Sequence, residues 1–258
     1  MIFPIGDDQV QGGYKPIFSY GFIGLNILIF LFQYTTPSAF ICEFGSIPND
    51  IVRGENYYTL LTSMFMHGGV MHLVGNMLFL WVFADNIEAS VGNINFLVFY
   101  LLGGLAASLA HIYFSTTMGA ELTNACCEVC SSSIPCTTSN PTPCPGSIPT
   151  VGASGAIAAV MGAYLVMFPK SRIKVLVLIL FRTFRIPAIF FLGLWIGQQL
   201  LSGFAAIGPQ AASSGVAWWA HIGGFAFGVF AGFFARHGGD HLNPPELPTK
   251  HYDDGNFV

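Results

Sequence analysis

Ser154 lies in the run Pro149-Thr150-Val151-Gly152-Ala153-Ser154-Gly155-Ala156-Ile157, a single hydroxyl among small residues at the head of an apolar stretch that ends at Phe168. His221 stands in Trp218-Trp219-Ala220-His221-Ile222-Gly223-Gly224, also inside an apolar stretch. A hydroxyl held beside an imidazole is the nucleophile and general base of a serine hydrolase. A third apolar stretch carries His67, His72 and Asn76. His72 and Asn76 are spaced i,i+4, so on a helix they share one face, whereas His67 falls on another. The competing reading of Ser154 is a Gly/Ala/Ser surface that only lets two helices pack closely.

The elements that must position these groups are membrane helices. Only 9% of the 258 residues are charged and 53% are hydrophobic, against roughly 25% charged in a soluble domain. A spanning helix needs about 20 mostly apolar residues. Six stretches meet or approach that length: Ile17 to Tyr34, Met66 to Ile87, Ile94 to Thr116, Val151 to Phe168, Ile186 to Ile207 and Val216 to Ala235. The expected fold class is an all-α polytopic membrane protein, a bundle of six transmembrane helices. The segment Ile173 to Phe181 is apolar but too short to span; it is expected to lie in the interface or to extend the fifth helix. Ionisable groups inside spans are costly and so are functional candidates.

Orientation follows from the cations. With the N-terminus inside, Lys15, Lys170, Arg172, Lys174, Arg182, Arg185, Arg236 and Lys250 face the cytoplasm and only Arg53 faces out. This asymmetry places both termini in the cytoplasm. Ser154, His221, His72 and Asn76 then all fall in the outer half of the bilayer, where water reaches them. Ser154 is expected about four residues into its helix, or ~6 Å from the outer end. The domain plan is a cytoplasmic segment over 1–16, a membrane domain over 17–235 and a polar cytoplasmic tail over 236–258. The N-terminus has no charged-then-apolar pattern of a cleavable signal. The net charge of −4, without a basic patch interleaved with aromatics, gives no reason to invoke nucleic acid.

Cys126, Cys127, Cys130, Cys136 and Cys144 lie in a Ser-, Thr- and Pro-rich external loop over 117–149, and Cys42 lies in the first external loop. An even set of six on the oxidising side reads as disulfides, with the pairing open. Zinc held through Cys127-Glu128-Val129-Cys130 is the weaker alternative, because no partner pair follows.

Small residues set the approach of two helices. Ser154, Ala158 and Gly162 form one stripe at i,i+4,i+8, and His221, Gly224, Gly228 and Gly232 another. Close packing of the two stripes brings the Ser154 hydroxyl to the His221 ring.

The residues His67, His72 and Asn76, the run Gly152-Ala153-Ser154-Gly155 and the run Ala220-His221-Ile222-Gly223-Gly224 resemble the signature motifs of the rhomboid family of intramembrane serine proteases. The resemblance covers roughly Tyr57 to Arg236. It implies a six-helix rhomboid-like bundle and a Ser154–His221 dyad. It also implies an oxyanion hole built from His72, Asn76 and the Ser154 backbone N–H. Structural support falls to His67, Gly152, Gly155, Gly224 and Glu88, the last tying the inner end of its helix to its loop. Two departures stand out. Ala158 occupies a position where many relatives place an aromatic ring under the histidine, so Trp218, Trp219 or an aromatic of a neighbouring helix must orient His221. Tyr57-Tyr58-Thr59 stands where many relatives carry a Trp-Arg pair.

The implied activity is endoproteolysis of transmembrane polypeptides within or beside their spanning segment, with small residues near the cut, no cofactor and no metal. Its partners are those substrates and the lipid bilayer; the oligomeric state is open. The expected location is the plasma (inner) membrane, with the site opening outward. The alternative function is a catalytically silent rhomboid-like scaffold that binds transmembrane helices. A channel or transporter ranks below both, because the sequence has no inverted repeat.

Overall fold

A computed structural model of the chain describes residues 2–8, 15–35, 39–117, 129–130, 145–206 and 215–237. In order, its elements are β1 (Ile2–Gly6), α1 (Ile17–Tyr34), α2 (Ala39–Phe44), α3 (Pro48–Arg53), α4 (Thr59–Thr62), α5 (Val70–Val91), α6 (Asn93–Thr117), α7 (Ser154–Met167), β2 (Arg172–Val177), β3 (Arg182–Pro187), α8 (Ala188–Ala205) and α9 (Trp218–His237). Among the described residues five helices, α1, α5, α6, α8 and α9, are long and apolar enough to cross a bilayer. The chain is a helical polytopic membrane protein.

The fourth apolar stretch, Val151 to Phe168, forms α7, which has only 14 residues. At about 1.5 Å per residue it extends about 21 Å, short of the ~30 Å hydrocarbon layer. Such a helix is stable because protein, not lipid, surrounds it. Ala156, Ile157, Ala158, Ala159 and Val160 are all buried, and α7 packs most extensively on α9, then on α6 and α5.

The start of α7 corrects the sequence expectation. The helix begins at Ser154 and not at Val151, so Ser154 is its first residue. The preceding backbone is committed elsewhere. Thr150 exchanges both backbone hydrogen bonds with Ser46, at 2.8 and 3.0 Å, and the Gly152 N–H donates to the Ser63 carbonyl at 2.9 Å. Gly152 adopts φ +133°, a backbone state that side chains with a Cβ rarely enter.

Close contact between α7 and α9 follows from the small stripes. A methyl group at Gly224 would collide with the Gly155 carbonyl, one at Gly228 with the Ala159 carbonyl, and one at Gly162 with the Phe225 carbonyl. At Gly155 it would come 2.6 Å from the Ala107 methyl. Dispersion contacts and close backbone approach hold helices together where lipid supplies no hydrophobic drive between them.

Three features stand at the opposite end of α7. The stretch Ile173 to Phe181 does not extend the fifth helix. Its first part is β2, which pairs antiparallel with β3 and with β1 in a three-stranded sheet of order β1-β2-β3. The reason is a period of two: Ile173 and Val175 are buried, while Arg172 and Lys174 are exposed. Part of the N-terminal segment 1–16 is therefore structured. Asp7 follows β1 and accepts hydrogen bonds from the Tyr164 hydroxyl on α7 and from the Asn86 side chain on α5. Finally, Glu88 joins the inner end of α5 to the start of α1. Its carboxylate accepts from the Phe18 N–H, the Ser19 N–H and the Ser19 hydroxyl, at 2.9, 2.7 and 2.6 Å. It thereby caps the first turn of α1, where backbone N–H groups lack helical partners.

On the side of Ser154, the first long loop folds into the short helices α2 to α4. Tyr58 donates its hydroxyl proton to the Glu43 carbonyl at 2.9 Å. Cys42 on α2 is joined to Cys130, with Cα atoms 5.6 Å apart. Cys130 is then not available as a zinc ligand. Cys126, Cys127, Cys136 and Cys144, and the tail beyond 237, lie outside the described residues.

Candidate active site

Ser154 opens α7, so its hydroxyl and the first free N–H groups of the helix point into the same space. α9 brings His221 to it: the Ser154 Oγ to His221 Nε2 distance is 2.9 Å. The other ring nitrogen, Nδ1, lies 2.8 Å from Gln199 Oε1. A carbonyl oxygen can only accept, so Nδ1 carries the proton and Nε2 is left with its lone pair facing the serine hydroxyl. Gln199 on α8 is 4% exposed, which keeps water from competing for that bond.

Ring contacts complete the placement of His221. The Trp195 ring lies 5.8 Å away, tilted by 39°, and the Trp218 ring lies 6.3 Å away, edge-on at 88°. Trp218 was one of the expected orienting groups. Trp219 instead stacks on Phe114 at 3.7 Å. Ala158 is fully buried and offers no ring, so orientation comes from Gln199 and Trp195 on α8 and from Trp218 on α9.

The donors stand opposite. A methyl group on Gly152 would come 2.8 Å from His72 Cε1, 2.9 Å from His72 Nε2 and 3.5 Å from Asn76 Nδ2. Gly152 thus lets the chain pass directly against both side chains. The Gly68 N–H donates to His72 Nδ1 at a long 3.4 Å, which leaves Nε2 as the N–H that faces the site. Asn76 Nδ2 lies 2.9 Å from His67 Nε2. One amide proton of Asn76 is spent on His67 and the second remains for a ligand.

His67 does more than support its loop. Its ring meets His72 edge-on at 5.2 Å and holds Asn76. Its backbone is clasped by Gln33 of α1, whose side chain donates to the His67 carbonyl at 2.7 Å and accepts from its N–H at 3.2 Å. His67 precedes the spanning part of α5. Burial, aided by the neighbouring His72, pushes its imidazole down to about 4 from 6.5, so it is neutral and can accept from Asn76.

These groups border one cavity of about 860 Å³, lined among others by Ser154, His221, His72, Asn76 and Trp218. Among the described residues no carboxylate lines it. The partner of His221 Nδ1 is the Gln199 amide and not a carboxylate. Gln199 was missed from sequence, and Trp195 is an aromatic of a neighbouring helix that the sequence left unspecified. For Gln199 the sequence did hold a clue: Gln198-Gln199 is a pair of amides inside the otherwise apolar α8.

The rhomboid domain model matches residues 54–238, most of the chain and all of the residues just described except Gln33. The chain belongs to the rhomboid family. Among curated proteins this rhomboid is similar to rhomboid protease GluP of Bacillus subtilis, with 29% identity over 162 residues, which is 61% of this chain and 26% of that protein. It is also similar to mitochondrial rhomboid protein 1 of Saccharomyces cerevisiae, with 24% identity over 216 residues, 83% of this chain and 52% of that one. A shorter match, 33% over 55 residues, is to inactive rhomboid protein 1 of Drosophila melanogaster; it covers 21% of this chain and 4% of that protein. The chain thus spans between about a quarter and about half of the first two relatives' length.

Proposed function

We propose that this rhomboid is an intramembrane serine endopeptidase that cleaves transmembrane polypeptides within or beside their spanning segment. The observation that carries the reading is the 2.9 Å contact of Ser154 Oγ with His221 Nε2, in a ring whose other nitrogen is held by Gln199. Family membership alone does not decide activity, because one of its relatives is named as inactive.

In the proposed reaction the Ser154 oxygen attacks the scissile carbonyl carbon while its proton passes to His221 Nε2. The imidazolium so formed is stabilised through Nδ1–H by the Gln199 carbonyl. The carbonyl π bond breaks, and its electron pair settles on oxygen. That oxyanion accepts from the Ser154 N–H, the second amide proton of Asn76 and His72 Nε2–H. One such donor is worth about 2.7–4 kcal/mol of transition-state stabilisation. Collapse of the tetrahedral species breaks the C–N bond, and the leaving nitrogen takes the proton from Nε2. Water then attacks the Ser154 ester, with His221 Nε2 again accepting the proton and returning it to Oγ as the acid product leaves. No step calls on a metal or a cofactor.

The proposed location is the plasma (inner) membrane, with both termini in the cytoplasm and the cavity opening on the opposite face. The cation asymmetry supports this, since Lys170, Arg172, Lys174, Arg182 and Arg185 all follow the end of α7 remote from Ser154. On that view the Cys42–Cys130 link faces an oxidising space and braces the loop that leads to the nucleophile.

The test uses purified protein in proteoliposomes with a fluorescently labelled transmembrane substrate. Cleavage should vanish in Ser154→Ala and in His221→Ala, and a fluorophosphonate probe should label the parent protein on Ser154. Unchanged cleavage by Ser154→Ala would end the proposal. A parent protein that binds the substrate but neither cuts it nor reacts with the fluorophosphonate would be the silent scaffold.

A further inference from the structure

The hairpin of β2 and β3 presents a surface that the proteolytic reading does not use. Its turn is apolar and exposed: Ile179 is 81% and Phe181 82% accessible, and Leu178, Leu180 and Phe184 are also exposed. In a soluble setting such a turn would carry Gly, Asn or Asp. Here Phe181 itself takes the left-handed turn position, at φ 45°. A bulky residue there is a conformational outlier, and the outcome is an aromatic ring at the hairpin tip.

Charge frames this tip. Lys170, Arg172, Lys174 and Arg182 are exposed along the hairpin, Arg185 stands on the same strand, and the segment from 168 to 188 holds no Asp or Glu. The nearest carboxylates come from the end of β1. Asp7 is engaged by Tyr164 and Asn86, and Asp8 accepts from the Arg172 backbone N–H at 2.9 Å. The hairpin is also fixed at the membrane boundary by its connections. β2 begins within a few residues of the end of α7, and β3 runs into α8 at Pro187 without a linker.

We propose that this hairpin is a bilayer-docking device. Its Leu178–Phe181 turn inserts among acyl chains at the interface, and its Lys and Arg side chains bind the phosphate groups of anionic phospholipids. The two halves of the surface demand one partner that is apolar and anionic within a few ångströms, and the adjoining leaflet offers both. Long basic side chains suit that boundary, because they lay their stems on apolar surface while the charged ends reach phosphate. The assignment is independent of whether Ser154 is catalytic.

The experiment places a tryptophan at the tip, Phe181→Trp, with Ile179→Trp as a second reporter should the first disturb the turn. Each full-length variant is reconstituted in nanodiscs of brominated phosphatidylcholine, with or without phosphatidylglycerol. The emission of the parent protein, from its native tryptophans, is subtracted. The proposal expects the added emission to be blue-shifted and to lose most of its intensity to the bromines. That quenching should deepen with phosphatidylglycerol, and Lys174→Gln with Arg182→Gln should abolish the dependence on anionic lipid. An unquenched, water-like emission in both lipids would overturn docking. A blue shift without quenching would mean that protein covers the tip, and would overturn it equally. Quenching indifferent to phosphatidylglycerol would overturn the anionic assignment.

Discussion

Gln199→Leu removes the acceptor for His221 Nδ1–H while keeping the size of a side chain that is almost fully buried. In the ground state the loss is one neutral hydrogen bond. In the transition state the ring is cationic, and a hydrogen bond to a charged group is worth about 1.5–3 kcal/mol. No water replaces it, because the site around Gln199 is closed. The ground state loses about 0.5–1.5 kcal/mol of its own, so kcat feels the difference, about 1–1.5 kcal/mol; at about 1.36 kcal/mol per decade the variant should lose roughly 5- to 13-fold in kcat. KM should change little, since Gln199 does not line the cavity. Gln199→Glu keeps an acceptor of the same reach and should recover most of the loss. The assay is initial-rate cleavage of a transmembrane substrate in proteoliposomes, with thermal unfolding of each variant measured in parallel. If Gln199→Leu leaves kcat at the parent value, Gln199 does not set the tautomer of His221 and the argument for an amide-extended dyad fails.

Three further outcomes are expected. Gly152→Ala forces a Cβ into a φ of +133° and against the His72 ring at 2.8–2.9 Å; the backbone term alone is about 1–3 kcal/mol, and cleavage should fall sharply while Ser154 and His221 stay in place, as read by circular dichroism and fluorophosphonate labelling. Cys42→Ser opens the link to Cys130, and loss of a native disulfide typically costs about 2–5 kcal/mol; non-reducing electrophoresis and the unfolding midpoint, with and without reductant, check it. His67 is neutral when folded, at about 4, but ordinary at 6.5 when unfolded. The unfolded chain therefore binds more protons between those values, stability is full above 6.5, and it declines as pH falls from 6.5 towards 4. Unfolding midpoints across that window should flatten in His67→Gln.

The spans and the facing of the site were legible because membrane helices write their burial plainly. His72 and Asn76 share a face through i,i+4 spacing, and the stripe Gly224, Gly228, Gly232 marks where α9 meets α7. The start of α7 was not legible. Pro149 and Thr150 suit a helix N-terminus, yet Thr150 is held extended by Ser46, a partner about a hundred residues away in sequence. Gln199 broke the apolar pattern of α8 visibly. Its partner on α9 was beyond any local rule, since nothing in the sequence fixes the rotation of α8 against α9. The hairpin was hidden for a different reason. The alternation at Arg172 to Val175 is only four residues long before the apolar turn erases it, and its pairing with β1 joins opposite ends of the domain.

The two partners of His221 live in different surroundings. Ser154 stands on a helix wrapped in protein, whereas Gln199 stands on one whose remaining surface is mostly turned outward, with Phe190, Leu194, Leu201 and Phe204 exposed. Membrane thickness and acyl composition therefore have no direct grip on the nucleophile. On the proposed reading they reach the His221–Gln199 contact instead, through the tilt and height of α8, and so bear on proton transfer rather than on bond-forming geometry.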